Sequence, residues 1–145
     1  MSRGYFGIGV YRPKHEVNVG TLWRHAHLYG ASFIFTVGER FARAATDTCN
    51  APAHVPMFTY ADYADMRAHL PHDCGIVCVE LDDRATALPR FRHPDRCVYL
   101  LGAEDHGLPA DVMAGNEIVQ VPAWSMNVSV AGTVVLYDRF VKAAR

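Results

Sequence analysis

Short β-rich apolar runs alternate with helix-like segments along the chain, and this alternation limits the fold more than any other feature. Residues 5–11, 32–37, 55–59, 75–81, 96–101 and 117–121 read as strands, rich in Val, Ile, Phe and Tyr. Residues 18–29, 62–70 and 109–114 read as helices, and 127–144 as a long terminal helix. Asn18 stands where an N-cap belongs and Gly30 closes the first helix. Pro109 takes the first position of its helix, and Pro122 stops the last strand. Residues 39–53 read as a helical turn and then loop, and residues 82–94 as loop. Strands that alternate with helices predict an α/β fold, a mostly parallel sheet flanked by helices. A chain of 145 residues fits one domain, spanning 1–145.

Several function classes receive no support. The longest apolar stretches, such as 97–102, are far shorter than a membrane span. No basic segment followed by a long apolar run opens the chain, so a cytoplasmic location is expected. Cys49, Cys74, Cys78 and Cys97 form no CxxC pair and read as reduced thiols in or near apolar runs. The eight histidines include no HxxxH or HExxH, and His25 and His27 would diverge on a helix, so no metal is expected. Gly7-x-Gly9 lacks the third glycine and the following helix of a dinucleotide fingerprint.

Charge is uneven. Residues 1–45 hold six Lys or Arg against two acidic residues, while 46–145 hold eight against thirteen. The basic N-terminal third is a candidate phosphate-binding face. The terminal helix is apolar most of the way round, with Val128, Ala131, Gly132, Val134, Val135 and Val141. A helix of that kind is buried on more than one side, which points to a subunit interface.

Three segments carry the chemistry. Asn18-Val19-Gly20-Thr21-Leu22-Trp23-Arg24 opens the first helix, where free N–H groups and the dipole favour anions. Residues 101–109, LGAEDHGLP, join a buried strand to a helix, with two glycines that let the backbone approach a ligand. Residues 121–131, VPAWSMNVSVA, form a loop rich in hydrogen-bonding side chains that runs into the terminal helix. Ligands of open α/β sheets bind beyond strand C-termini, where the second segment lies.

In order, the segments resemble the three motifs of the SPOUT superfamily, specifically its TrmH-like RNA ribose 2′-O-methyltransferases. The matching residues are Asn18, Gly20 and Arg24; Gly102, Glu104, Gly107 and Leu108; then Pro122, Ser125, Met126, Asn127, Val128, Ser129 and Ala131. The length resembles the minimalist single-domain members. The resemblance implies a deep C-terminal trefoil knot, a homodimer, and S-adenosylmethionine as cofactor. It implies cofactor contacts at Val79, Gly102, Glu104, Gly107, Val121, Ser125 and Met126. It implies a catalytic group of Arg24, Ser125 and Asn127, with Asn127 bracing knot and dimer. Asn18, Arg24, Arg12 and Lys14 would face RNA, either tRNA or rRNA.

Only Ala123 and Trp124 separate Pro122 from Ser125, a shorter loop than minimalist tRNA-wobble enzymes usually have, so the resemblance does not fix the RNA. Arginine is charged at working pH, so Arg24 serves either as a strongly perturbed base or as a clamp on phosphate and developing alkoxide. Two alternatives stand beside ribose methylation. One is methylation of a base nitrogen, which Arg24 in N-x-G-x-x-x-R disfavours. The other is an RNA-binding protein of the same fold without turnover.

Overall fold

The computed structural model describes residues 4–38, 51–123 and 125–145. Seven parallel strands form one sheet. They are β1 (Tyr5–Tyr11), β2 (Phe33–Val37), β3 (Met57–Tyr60), β4 (Gly75–Val79), β5 (Thr86–Ala87), β6 (Arg96–Gly102) and β7 (Glu117–Gln120), in the spatial order β3-β2-β1-β6-β4-β7-β5. The helices are α1 (Glu16–Leu28), α2 (Ala51–His54), α3 (Tyr63–His69), α4 (Ala110–Met113) and α5 (Val128–Ala143). The expected mostly parallel α/β sheet is therefore present. Of the expected turn and loop at 39–53, residues 39–50 lie outside the described residues.

Alternation along the strands divides the core into two layers, because successive side chains point to opposite faces. Phe6, Ile8 and Val10 of β1 share a cluster with Tyr99 and Leu101 of β6. Leu22 and Ala26 of α1 and Val135 and Leu136 of α5 cover that face. On the other face, Phe33 and Phe35 of β2 and Leu100 of β6 pack with Met66 of α3 and Val112 of α4.

The Gly7-x-Gly9 pair belongs to this packing. A Cβ on Gly7 would lie 2.5 Å from the Phe33 ring, and one on Gly9 would lie 2.4 Å from the Phe35 ring. The glycines leave room for two neighbouring aromatic rings to lie over the strand, a cross-strand arrangement that needs no nucleotide.

Some boundaries move. Asn18 is not the N-cap of α1; His15 is, without a side-chain capping bond, and Asn18 lies inside the first turn. Pro109 is the N-cap of α4 rather than its first residue. The 82–94 loop contains β5 and a 3-10 turn, Leu88–Arg90. Gly30 does close α1. With φ of +81° it lets its own N–H reach the His27 carbonyl and the Ala31 N–H reach that of Ala26, a Schellman arrangement.

A polar network fastens the C-terminal half of α5. Arg139 lies over the Phe6 ring at 4.3 Å and donates from Nη1 to the Pro94 carbonyl and the Tyr99 hydroxyl. His93 bonds Tyr99 through Nδ1 at 2.7 Å and Asp138 through Nε2 at 2.8 Å. Lys142 pairs with Asp138 at 2.6 Å and donates to the carbonyls of Leu88 and Phe91. Burial lowers the His93 pKa, against the raising effect of Asp138. Burial also pushes the thiols of Cys78 and Cys97 up to about 11, which suits inert core residues. Cys49 lies outside the described residues.

Gly132 lies where α5 packs on the core. A Cβ there would lie 2.6 Å from Leu22 Cδ1 and within 3.5 Å of Ile8 and Leu101, so Gly132 serves the contact of α5 with the chain's own core. No described helix is long and apolar enough to cross a membrane.

Candidate active site

Four strands adjacent in the sheet, β1, β6, β4 and β7, end on the same side because all run parallel. The three sequence segments follow three of those ends. Residues 12–18 follow β1, residues 103–108 follow β6 and residues 121–127 follow β7. Val79 ends β4, and Glu80 follows it. The chain turns one way from β1 to β2 and the other way to reach β6, which is where open parallel sheets leave a crevice.

A cavity of about 210 Å³ lies at the ends of β4 and β6, beside Val121, which follows β7. Val79, Gly102, Glu104 and Gly107 line it, as do Val121, Ser125 and Met126, so the seven residues expected to hold a cofactor meet around one space. Further lining residues were not expected: Glu80, Leu101, Ala103, Asp105, His106 and Ala131.

The loop after β6 closes on itself. The Gly107 N–H donates to the Ala103 carbonyl at 2.8 Å, and the two residues form an isolated antiparallel bridge. Gly107 has φ of +64°, a left-handed conformation that favours glycine. A Cβ on Gly102 would lie 2.5 Å from the Gly107 carbonyl carbon. Gly102 is thus needed for closure of the loop that borders the cavity.

Glu80 fastens the loop from outside. Its Oε2 accepts from the Leu108 N–H at 3.0 Å, and its Oε1 accepts from its neighbour Leu81 at 3.0 Å. A lone acidic residue after an apolar strand carries no periodicity or motif, so only its position beside Val79 hinted at a role.

The three segments are joined by side chains. Asn18 donates from Nδ2 to Glu104 Oε1 at 2.6 Å. Asn127 donates from Nδ2 to the same oxygen at 3.0 Å and to Asn18 Oδ1 at 3.1 Å. Asn127 Oδ1 also accepts from the N–H groups of Ser129 and Val130 and from the Ser129 hydroxyl, which caps α5.

The basic candidates lie outside the cavity. Lys14 is exposed and lines a small adjoining recess with Pro13, His15, Asn18 and Glu104. Arg12 is exposed, with φ of +50°, and its N–H donates to the Val37 carbonyl. Arg24 is exposed on α1 and makes no hydrogen bond or ion pair among the described residues. Helical geometry sets it about 120° round the axis from Asn18, so it does not face its own chain's cavity. Arg3, Arg40 and Arg43 lie outside the described residues. Among the described residues, no group of three His, Cys, Asp or Glu side chains is placed to hold a metal.

The model of the SpoU rRNA Methylase family matches residues 6–137. The chain belongs to that family. No curated protein sequence matches the chain. Several solved structures share the SpoU fold. One, described as giving structural insights into the 2-OH methylation of C/U34 on tRNA, has a TM-score of 0.83 at 22% identity, covering 98% of both chains. The A. aeolicus TrmH/SpoU tRNA modifying enzyme has a TM-score of 0.83 at 16% identity, over 96% of this SpoU chain and 75% of its own. An AdoMet-bound rRNA methyltransferase from Sinorhizobium meliloti has a TM-score of 0.79 at 23% identity; 96% of this chain covers only 57% of that one.

Proposed function

We propose that this member of the SpoU rRNA Methylase family is an S-adenosylmethionine-dependent methyltransferase that modifies a ribose 2′-hydroxyl of tRNA or rRNA. The observation that carries the reading is the junction of Asn18, Glu104 and Asn127, which ties the three motif segments together beside one cavity. Its wall is mixed: Val79, Leu101, Val121 and Met126 suit an apolar ring, and Glu80, Glu104 and Ser125 suit polar and cationic groups. That composition fits S-adenosylmethionine, which is described as bound in two solved structures of this fold. When bound, the cofactor supplies an electrophilic methyl group.

The chain's own residues orient and exclude. The closed 103–107 loop presents backbone to the cavity, and Ser125 and Met126 cover it from the loop before α5. Ribose chemistry, rather than transfer to a base, rests on Arg24 in its motif and on the 2-OH methylation described for the tRNA relative. Arg24 would favour the developing alkoxide or grip a neighbouring phosphate.

We place Arg24 at the cavity of a second copy. It lies on one exposed face of α1 with Val17, 65% exposed, and Leu28, 59% exposed. Tyr137 and Phe140 of α5 are also exposed and touch Tyr29 edge to face. Exposed apolar side chains on two neighbouring helices, beside Arg24, suit a two-fold homodimer. The reading also carries a C-terminal trefoil knot, supported by the return of the chain from β7, at the far side of β4, to place α5 against α1 over β1.

The test is nucleoside mass spectrometry of tRNA and rRNA from cells with and without the protein, followed by methyl transfer in vitro to the RNA identified. Loss of one 2′-O-methylated nucleoside, restored in vitro, is expected. Loss of a base-methylated nucleoside instead would replace ribose by base chemistry, and an unchanged profile with no transfer would leave RNA binding without turnover.

A further inference from the structure

The cavity wall has an unusual charge balance. Glu80, Glu104 and Asp105 line it, and among the described residues His106 is the only basic side chain in its wall. Glu104 belongs to the junction of the three motif segments, and Asp105 has a basic ring beside it. Glu104 Oε1 already serves Asn18 and Asn127, and Asp105 lies 3.4 Å from His106 Nε2. Glu80 differs. Both of its oxygens accept from backbone N–H groups, Leu81 and Leu108, so the carboxylate is held on the wall, with no ion pair to a cation among the described residues. Gly107 lets it stay there, since a Cβ at that position would lie 2.9 Å from Glu80 Oε2.

We infer that Glu80 is a specificity-determining residue that makes the cavity select its ligand by net charge, taking a monocationic sulfonium nucleoside in preference to its neutral thioether counterpart. The inference rests on the proposed cofactor. S-adenosylmethionine carries a sulfonium, an ammonium and a carboxylate, for a net charge of +1. Methyl transfer breaks the sulfur–methyl bond, forms the oxygen–methyl bond and releases the acceptor's hydroxyl proton; the sulfur keeps the electron pair. S-adenosylhomocysteine is therefore neutral overall. A fixed negative field in a partly enclosed cavity attracts the first ligand and has no net charge to hold in the second. The same field disfavours phosphate-bearing nucleotides, which agrees with the packing role of Gly7 and Gly9.

Glu80 also holds the Leu108 N–H, so its removal could deform the loop. The ratio of two affinities separates deformation from charge, because a deformed cavity weakens both ligands alike. Calorimetric titration of the intact protein with S-adenosylmethionine, S-adenosylhomocysteine and sinefungin, whose amine replaces the sulfonium, supplies that ratio. Both cationic ligands should bind the unaltered protein more tightly than S-adenosylhomocysteine, with the gap narrowing as salt rises. Glu80→Gln should reduce the cation preference by about threefold to tenfold, the scale of one partly screened charge a few ångströms away. Glu80→Asp should retain the preference even where all three affinities fall. Equal or tighter binding of the neutral ligand by the unaltered protein, or an unchanged ratio in Glu80→Gln, overturns the inference while leaving the cofactor reading intact. Failure of all three ligands to bind overturns both.

Discussion

Asn18 and Glu104 are separated by 86 positions, yet they meet at 2.6 Å, and Asn127 bonds to both. The two asparagines are not equivalent, because Asn127 also caps α5 through its other amide atom. Substitutions can divide these tasks. Asn127→Ala should lose the cap and the junction together and cost about 1 kcal/mol or more in urea unfolding, the usual scale of a lost N-cap. Asn127→Asp keeps the capping oxygen but sets a carboxylate against Glu104. We expect near-normal stability with weakened S-adenosylmethionine binding. Equal stability of the two variants would refute the capping role.

Gly102→Val tests the closed loop. The new side chain meets the Gly107 backbone, not a movable side-chain tip, so the loop must open or the strand must shift. Overpacking of this kind costs about 1–3 kcal/mol. Stability and cofactor affinity should fall together. A variant that loses affinity with an unchanged unfolding midpoint would make direct ligand contact the reason for this glycine.

Arg24 tests the composite site. Arg24→Ala and Arg24→Lys should each lose methyl transfer by about a hundredfold or more, since lysine lacks the planar fork. Cofactor affinity should stay level, because the proposed role of Arg24 is toward the RNA acceptor rather than the cofactor. Mixed dimers of Arg24→Ala with a cavity variant such as Gly102→Val should recover activity that neither variant shows alone. No recovery would place Arg24 at its own chain's site. A persistent monomer with full activity in sedimentation would remove the dimer altogether.

Acid should loosen α5. Burial depresses the folded pKa of His93, so the unfolded chain binds its proton more readily. Stability from this residue is fully present above the ordinary imidazole value, about 6.5, and falls as pH drops from there through the lower folded value. Tyr99 of β6 and Asp138 of α5 bond the ring directly, while Arg139 and Lys142 of α5 oppose a further positive charge. Urea midpoints measured between pH 7.5 and 5 should therefore decline, and His93→Gln should flatten that decline. The same slope with and without His93 would assign the effect to other groups.

Much of the fold was legible because its elements repeat simple periods. The strand at Tyr5–Tyr11 and the long terminal helix follow from runs of β-rich and apolar residues, while the capping role of Asn127 emerged only in the structure. Strand order was not legible, since the neighbours of β1 are chosen by packing between distant segments. The cavity residues in the motif loops could be named because each sits in a recognisable pattern. Glu80 could not, for its role depends on a Leu108 N–H that is close only after folding. Asn18 was misread as a cap because the local rule competes with Glu104, which the chain supplies much later. The close contact at Gly132 was not legible for a related reason. Small size alone does not say whether the close neighbour is a second copy or, as here, Leu22.

The position of β1 in the sheet bears on how the protein is made. β1 leaves the ribosome well before β6, and β2 follows β1 soon to cover one side. Its other side pairs with β6, so Tyr5 waits for Arg96 and Tyr11 for Gly102. Until then a buried-type strand, with Phe6, Ile8 and Val10, has an open row of backbone donors and acceptors. Late, non-local pairing is slow and leaves the nascent chain open to misassociation. The segment that relieves this hazard, β6, leads directly into the loop that frames the cavity, so the chain acquires its central pairing just before it emerges with the means to bind a ligand.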